Sequence, residues 1–166
     1  MKESKMKIGL ILENTSSSQL AFFAISNMNK FASDNYEDDL VLFFENAVPH
    51  VIQPSFACMN SSEIWNFDGV LVSTSVSNTL LSVSAIAPKK RYFYVWDLEW
   101  TRPRGKDYEY NISAYSDKDV SLIARSDDHA KAIKNYCNRD VCGIVSNFNL
   151  NQLMDVINNE QVLTKA

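Results

Sequence analysis

The chain has 166 residues, 46% of them hydrophobic and 22% charged, with a net charge of −4 at neutral pH. That length favours a single domain over residues 1–166 with a real core, and the acidic balance excludes the electrostatic footprint of a nonspecific nucleic-acid binder. Only four glycines are present, against a usual share of ~7%, too few for a glycine-rich phosphate loop. Cys58, Cys137 and Cys142 form no C-x-x-C pair, so neither a metal centre nor a disulfide framework is expected, and three buried reduced thiols are.

The opening segment MKESKMKIGLILEN is basic, but its apolar run, Ile8 to Leu12, is shorter than the ~7 residues of a signal core. No stretch reaches the ~18 apolar residues of a membrane span. The expectation is a cytoplasmic protein with no membrane span.

Lys7–Glu13 is a short apolar run suited to a strand buried on both faces. Asn14–Ser18 is a hydroxyl-rich turn. Ser17 or Ser18 can cap a helix in which Leu20, Phe23, Ala24, Met28 and Phe31 recur at helical spacing, and Asp34 and Asn35 end it. Leu40–Phe44 reads as a second buried strand. Pro49 and Pro54 bracket an extended piece, Val51–Ile52. Ser61 or Ser62, followed by Glu63, begins a short helix carrying Ile64 and Trp65. Gly69–Val72 is a further strand, and Ser77–Ala87 a helix that stops at Pro88. Tyr92–Trp96 follows as a strand. Asp97–Tyr110 is the longest irregular segment, at about 14 residues, where loops tend to be functional. Val120–Ala124 is the next strand. Ser126 caps a helix with Asp127 and Asp128 in its first turn and Ala130, Ile133, Tyr136 and Cys137 turned inward. Val141–Val145 is the last strand. Asn149 with Gln152 resembles a capping box before a closing helix over residues 149–160, which buries Leu150, Leu153, Met154 and Ile157.

Strands alternating with helices predict an α/β, three-layer Rossmann-like domain, its mostly parallel sheet holding about six or seven strands. Right-handed crossovers bring the loops after the strands to one rim of the sheet, and ligands bind there at a topological switch point.

The candidate chemistry lies on four of these loops. Asn14, Thr15 and Ser16 open a helix, where free N–H groups attract phosphate. No glycine falls between Gly9 and Gly69, so neither a dinucleotide fingerprint nor a Walker loop is present, and plain helix capping also accounts for these hydroxyls. Ser73, Thr74 and Ser75 follow a central strand and could contact a sugar or phosphate; turn formation explains them equally. The richest stretch is RYFYVWDLEWTRPR, Arg91 to Arg104. In an extended chain Asp97 and Glu99 point the same way, and one carboxylate could bind sugar hydroxyls or act as a general base. Trp96 and Trp100 could stack on a sugar or base, and Arg102 and Arg104 could pair with a phosphate. The bland alternative puts Trp96 in the core, Trp100 over it and the charges in solvent. Arg125 stands beside a helix start that could hold an anion, but Asp127 and Asp128 compete for it. The chain has two histidines, His50 and His129, and no Ser-His-Asp triad can be argued from them. A receiver domain would need clustered acids after the first strand and an aspartate after a central one; Glu13 and Ser73 stand there instead.

Three segments, VWDLEW, LIARSDDHAKAIKNYCNRD and GIVSNFNLNQLMDVI, resemble the N-terminal Rossmann-like half of a GT-B-type glycosyltransferase, over nearly the full chain. The Asn- and Ser-rich composition fits an AT-rich genome such as many phages carry, which would place the protein in a host cytoplasm. The resemblance implies sugar transfer from a nucleotide-sugar donor. It also implies that this half binds acceptor while a C-terminal half supplies most donor contacts, so a second glycosyltransferase half, or a homodimer, is the expected partner. Asp97-Leu98-Glu99 is not a D-x-D metal motif, and no cofactor is called for beyond the nucleotide-sugar donor. The alternatives are a non-enzymatic nucleotide- or protein-binding regulatory module of Rossmann-like fold, or a flavodoxin-like flavin binder.

Overall fold

The structure is a computed structural model that describes residues 6–34, 39–102 and 107–165. Seven strands form one sheet: β1 (Lys7–Asn14), β2 (Asp39–Asn46), β3 (Ala57–Asn60), β4 (Val70–Ser73), β5 (Lys90–Tyr94), β6 (Val120–Ala124) and β7 (Gly143–Ile144). Their order is β3-β2-β1-β4-β5-β6-β7, and every pair is parallel. The chain winds one way from β1 to β3 and the other way from β4 to β7. The switch point therefore falls between β1 and β4, the Rossmann arrangement rather than the flavodoxin-like one.

Five α-helices pack on the sheet: α1 (Gln19–Asp34), α2 (Val76–Ser84), α3 (Asp107–Ser116), α4 (Asp127–Cys137) and α5 (Leu150–Lys165). Alternation along each strand divides the core. Ile8, Leu10, Leu12, Tyr92 and Tyr94 meet Ala24, Ile25 and Met28 of α1 and Leu153 and Ile157 of α5. Phe93, Val95 and Leu122 face the other way, onto Val76 of α2, Ala114 and Tyr115 of α3 and Ile133 of α4. Beside them Ile11, Val41, Phe43 and Leu71 meet Ile64, which lies on a six-residue 3-10 turn, Ser61–Asn66. This is a three-layer Rossmann-like fold.

The strands buried on both faces sit where the apolar runs place them, and β6 has the expected bounds. Several elements differ: β7 holds only Gly143–Ile144 of the expected Val141–Val145, and α2 runs Val76–Ser84 rather than Ser77–Ala87. The sheet has a strand that the sequence does not announce, Ala57–Asn60, paired to β2. It is largely exposed and carries no apolar periodicity to announce it. The segment expected to be irregular, Asp97–Tyr110, holds a 3-10 turn at Glu99–Thr101 and the start of α3. The fifth strand also begins two residues earlier than Tyr92, at Lys90. The thiols correct the expectation of full burial: Cys58 and Cys137 are half-buried and Cys142 is exposed. No helix among the described residues is long and apolar enough to cross a membrane.

The end of the sheet is held by one phenol. Tyr94 Oη donates to the carbonyl of Val145 at 2.7 Å and accepts from the Phe148 N–H at 3.3 Å. Its ring meets that of Phe148 edge-on at 4.8 Å. Phe148 has φ 58°, a conformation unfavourable for a bulky residue. Burial and this bond hold it there. At the next junction Asn149 Oδ1 accepts from the N–H groups of Asn151 and Gln152, while Gln152 Oε1 reaches back to Ser146 N. Half of the expected capping box is therefore formed.

Candidate functional site

Parallel strands deliver the loops after β1, β4, β5 and β6 to the same carboxyl-end rim. After β1, Asn14 Oδ1 accepts from Ser16 N at 3.1 Å and from Ser16 Oγ at 2.5 Å, an Asx-type turn. Thr15 is fully buried. Its Oγ1 lies 2.8 Å from His50 Nδ1 and its carbonyl accepts from Val51 N at 2.8 Å. Ser18 then caps α1 through Ala21 N.

After β4 the three hydroxyls turn inward. Ser73 Oγ is 2.7 Å from Thr79 Oγ1 and 3.1 Å from the carbonyl of Tyr92. Thr74 Oγ1 donates to the carbonyl of Ile11 at 2.9 Å, a bond across the switch point from β4 to β1. Ser75 caps α2 by accepting from Asn78 N. These hydroxyls serve capping and strand cross-linking.

The loop after β5 supplies the central contact of the rim. Glu99 Oε1 accepts from Val76 N at 2.8 Å, so the carboxylate sits on the free N–H at the start of α2. Backbone dipoles favour an anion at that position. Glu99 is half-buried, and burial is the main cause raising its pKa. The charges of Asp97 and Glu13 raise it further, while the Val76 N–H and Arg102 work in the opposite sense. Beneath it Tyr115 is fully buried. Its hydroxyl is pushed up by burial and then by the Glu99 charge.

Asp97 and Glu99 do not share a direction through an extended chain, because Glu99 already belongs to the 3-10 turn. Asp97 is paired with Arg102. Trp96 and Trp100 separate to opposite faces of the sheet. The Arg125 guanidinium lies 3.8 Å over the Trp96 ring and donates to the Trp96 carbonyl at 3.1 Å. Trp100 stacks on Tyr136 at 4.2 Å with 3° between the planes, and Tyr115 meets it edge-on. One face of each indole is thus engaged by the chain itself. Arg104 lies outside the described residues.

Sequence reasoning missed Glu13 and Glu45. They follow Leu12 and Phe44, which are register partners in β1 and β2, and parallel pairing sets them side by side. Burial raises the pKa of Glu45, and the Glu13 charge adds to it. Each acid follows an apolar run, Ile8–Leu12 or Leu40–Phe44, and only the sheet order brings the two runs together. Together with Asp97 and Glu99 they give the rim a carboxylate-rich character. Such a surface accepts hydrogen bonds from hydroxyls and repels phosphate. Among the described residues no group of three or more metal-ligating side chains occurs.

A recess of about 540 Å³ lies elsewhere, where the strands begin, between Lys7, Asp39 and Phe67. Topology and chemistry, not volume, identify the carboxyl-end rim as the candidate site. No family model matches this chain, and no curated protein or solved structure matches it.

Proposed function

We propose that the chain is an acceptor-binding, Rossmann-like half of a sugar transferase of the GT-B type, working with a second half that brings the nucleotide-sugar donor. The observation that carries this reading is the carboxylate set at the switch-point rim, Glu13, Glu45, Asp97 and Glu99, with Glu99 held on the α2 N-terminus. Carboxylates are good acceptors for the hydroxyl groups of a sugar and poor neighbours for a diphosphate. A rim of this sign suits the acceptor and leaves the donor phosphates to the partner.

In that role Glu99 is the candidate general base. Its raised pKa brings it closer to the working pH, as an efficient base requires. It would take the proton of the acceptor hydroxyl as that oxygen bonds to the anomeric carbon and the nucleoside diphosphate departs. Asp97, Arg102 and Trp100 would line the approach.

The test is nuclear magnetic resonance titration of the chain with neutral oligosaccharides and, separately, with nucleotide sugars. Saturable shifts at the Trp96 and Trp100 indoles with an oligosaccharide, lost in Asp97→Ala, support the reading. Saturable binding of a nucleotide or flavin with no carbohydrate response refutes it.

A second reading has its own support. The α2 N-terminus and one face of each indole are already satisfied by the chain, as in a regulatory binding module that keeps the fold without the reaction. That module would associate with a protein partner, and Asp97→Ala would leave the association unchanged.

A further inference from the structure

Beneath Glu99 lies a phenol whose hydroxyl is unpaired. Tyr115 has 0% exposure, and its Oη has no hydrogen-bond partner among the described residues. A buried hydroxyl in that condition is uncommon. The ring is clamped. It meets Phe93 of β5 at 5.0 Å, Trp100 edge-on at 5.0 Å and 88°, and Tyr136 of α4 edge-on at 5.4 Å and 86°. Arg139 Nη1 donates to the Tyr115 carbonyl at 2.8 Å, which fixes the end of α3. The hydroxyl cannot swing away to find a partner; a partner has to come to it.

The loop after β5 supplies one. Trp100, in edge contact with the Tyr115 ring, follows Glu99 directly in the 3-10 turn. Val76, whose N–H holds Glu99 Oε1 at 2.8 Å, packs in the same cluster as Tyr115. The carboxylate is thus anchored among the side chains that surround the phenol. Burial and then the Glu99 charge raise the pKa of the Tyr115 hydroxyl, with Tyr136, Cys137 and Asp97 behind them. The phenol therefore stays protonated near neutral pH and is a donor. Burial also raises the pKa of Glu99; Asp97 and Glu13 add to this, and the Val76 N–H and Arg102 oppose it. An ionised carboxylate accepts several hydrogen bonds over its two oxygens, and Val76 N–H supplies one of them.

We propose that Tyr115 is a positioning residue for Glu99: its hydroxyl is the second donor to the carboxylate, which turns between Val76 N–H and Tyr115 Oη. When Glu99 leaves Val76 to meet an acceptor hydroxyl, the phenol replaces the lost donor and keeps the buried carboxylate ionised, as a base has to be. The role rests on reading Glu99 as the base. Its test needs no sugar, so a failure here is distinct from a failure to bind oligosaccharide. The full chain is labelled with ¹³C at the glutamate carboxyls and titrated by nuclear magnetic resonance, Glu99 being assigned by loss of its signal in Glu99→Gln. Tyr115→Phe should raise the Glu99 midpoint by about half a pH unit, roughly a threefold gain in proton affinity. Tyr136→Phe removes another buried, unpartnered hydroxyl of the same aromatic cluster and should leave the midpoint in place. In wild type the Tyr115 ring resonances should follow the Glu99 midpoint, a step absent in Glu99→Gln, and this measurement requires no change in the core. An unmoved or lowered midpoint in Tyr115→Phe, an equal shift in Tyr136→Phe, or ring resonances blind to Glu99 overturns the proposal.

Discussion

Glu99 offers two substitutions with different expected outcomes. In Glu99→Gln the amide carbonyl can still accept from Val76 N, but the charge is gone. In Glu99→Ala the 2.8 Å bond is gone as well, and the first N–H of α2 loses its partner in a half-buried setting. Loss of such a cap costs about 1 kcal/mol, which in a chain of this size lowers Tm by about 3 °C. The pH dependence has a definite sign. Burial raises the folded pKa of Glu99 above its ordinary value of 4.5. The folded state therefore binds the proton more tightly than the unfolded chain. The contribution linked to this group is fully present below the unfolded value and is lost as pH rises through the folded one. Wild type should accordingly lose stability relative to Glu99→Gln between about pH 4 and neutrality, while Glu99→Ala stays below Glu99→Gln throughout. Thermal unfolding of the three proteins from pH 4 to 7.5 measures this. Equal losses in Gln and Ala would refute the role of the Val76 bond, and a pH-independent gap between wild type and Gln would refute the raised pKa.

Other parts of the fold carry their own tests. Tyr94→Phe removes the hydroxyl shared by Val145 and Phe148 and should cost about 1–3 kcal/mol in urea unfolding, because buried groups lose their partner. Gly9→Ala drives a methyl group into Phe43 and Leu71; overpacking of this kind costs about 1–3 kcal/mol, and a neutral result would disprove the tight fit. Glu160 behaves oppositely to Glu99. Burial pushes its pKa up, but the Ser121 hydroxyl, Tyr92 and Lys90 outweigh it and the net shift is downward. Its stabilising effect is present above the ordinary value of 4.5 and is lost as pH falls through the lowered one. The penalty of Glu160→Gln should therefore shrink in acid, as chemical denaturation at pH 7 and pH 3 would register.

The sequence by itself determined the layers. Runs such as Ile8–Leu12, Leu40–Phe44 and Val120–Ala124 bury on both faces wherever they pair, so they announce strands without help from the rest of the chain. Ser18, Ser75 and Ser126 cap the helices that follow because the reach from a serine oxygen to an N–H two or three residues on is purely local. Tertiary structure decided the rest. Ala57–Asn60 is a strand because β2 offers it a ladder, not because its side chains prefer one. Among the described side chains of α3, Ala114 and Tyr115 are the fully buried ones, too few to write a helical period into its sequence. The rim follows the same logic: Glu13, Glu45 and Glu99 are far apart along the chain and meet only once the strand order is set. Whether Glu99 faced solvent or the start of α2 depended on β4 and β5 lying side by side. Local propensity cannot express that fact, because the contact joins two loops whose separation is fixed by the sheet.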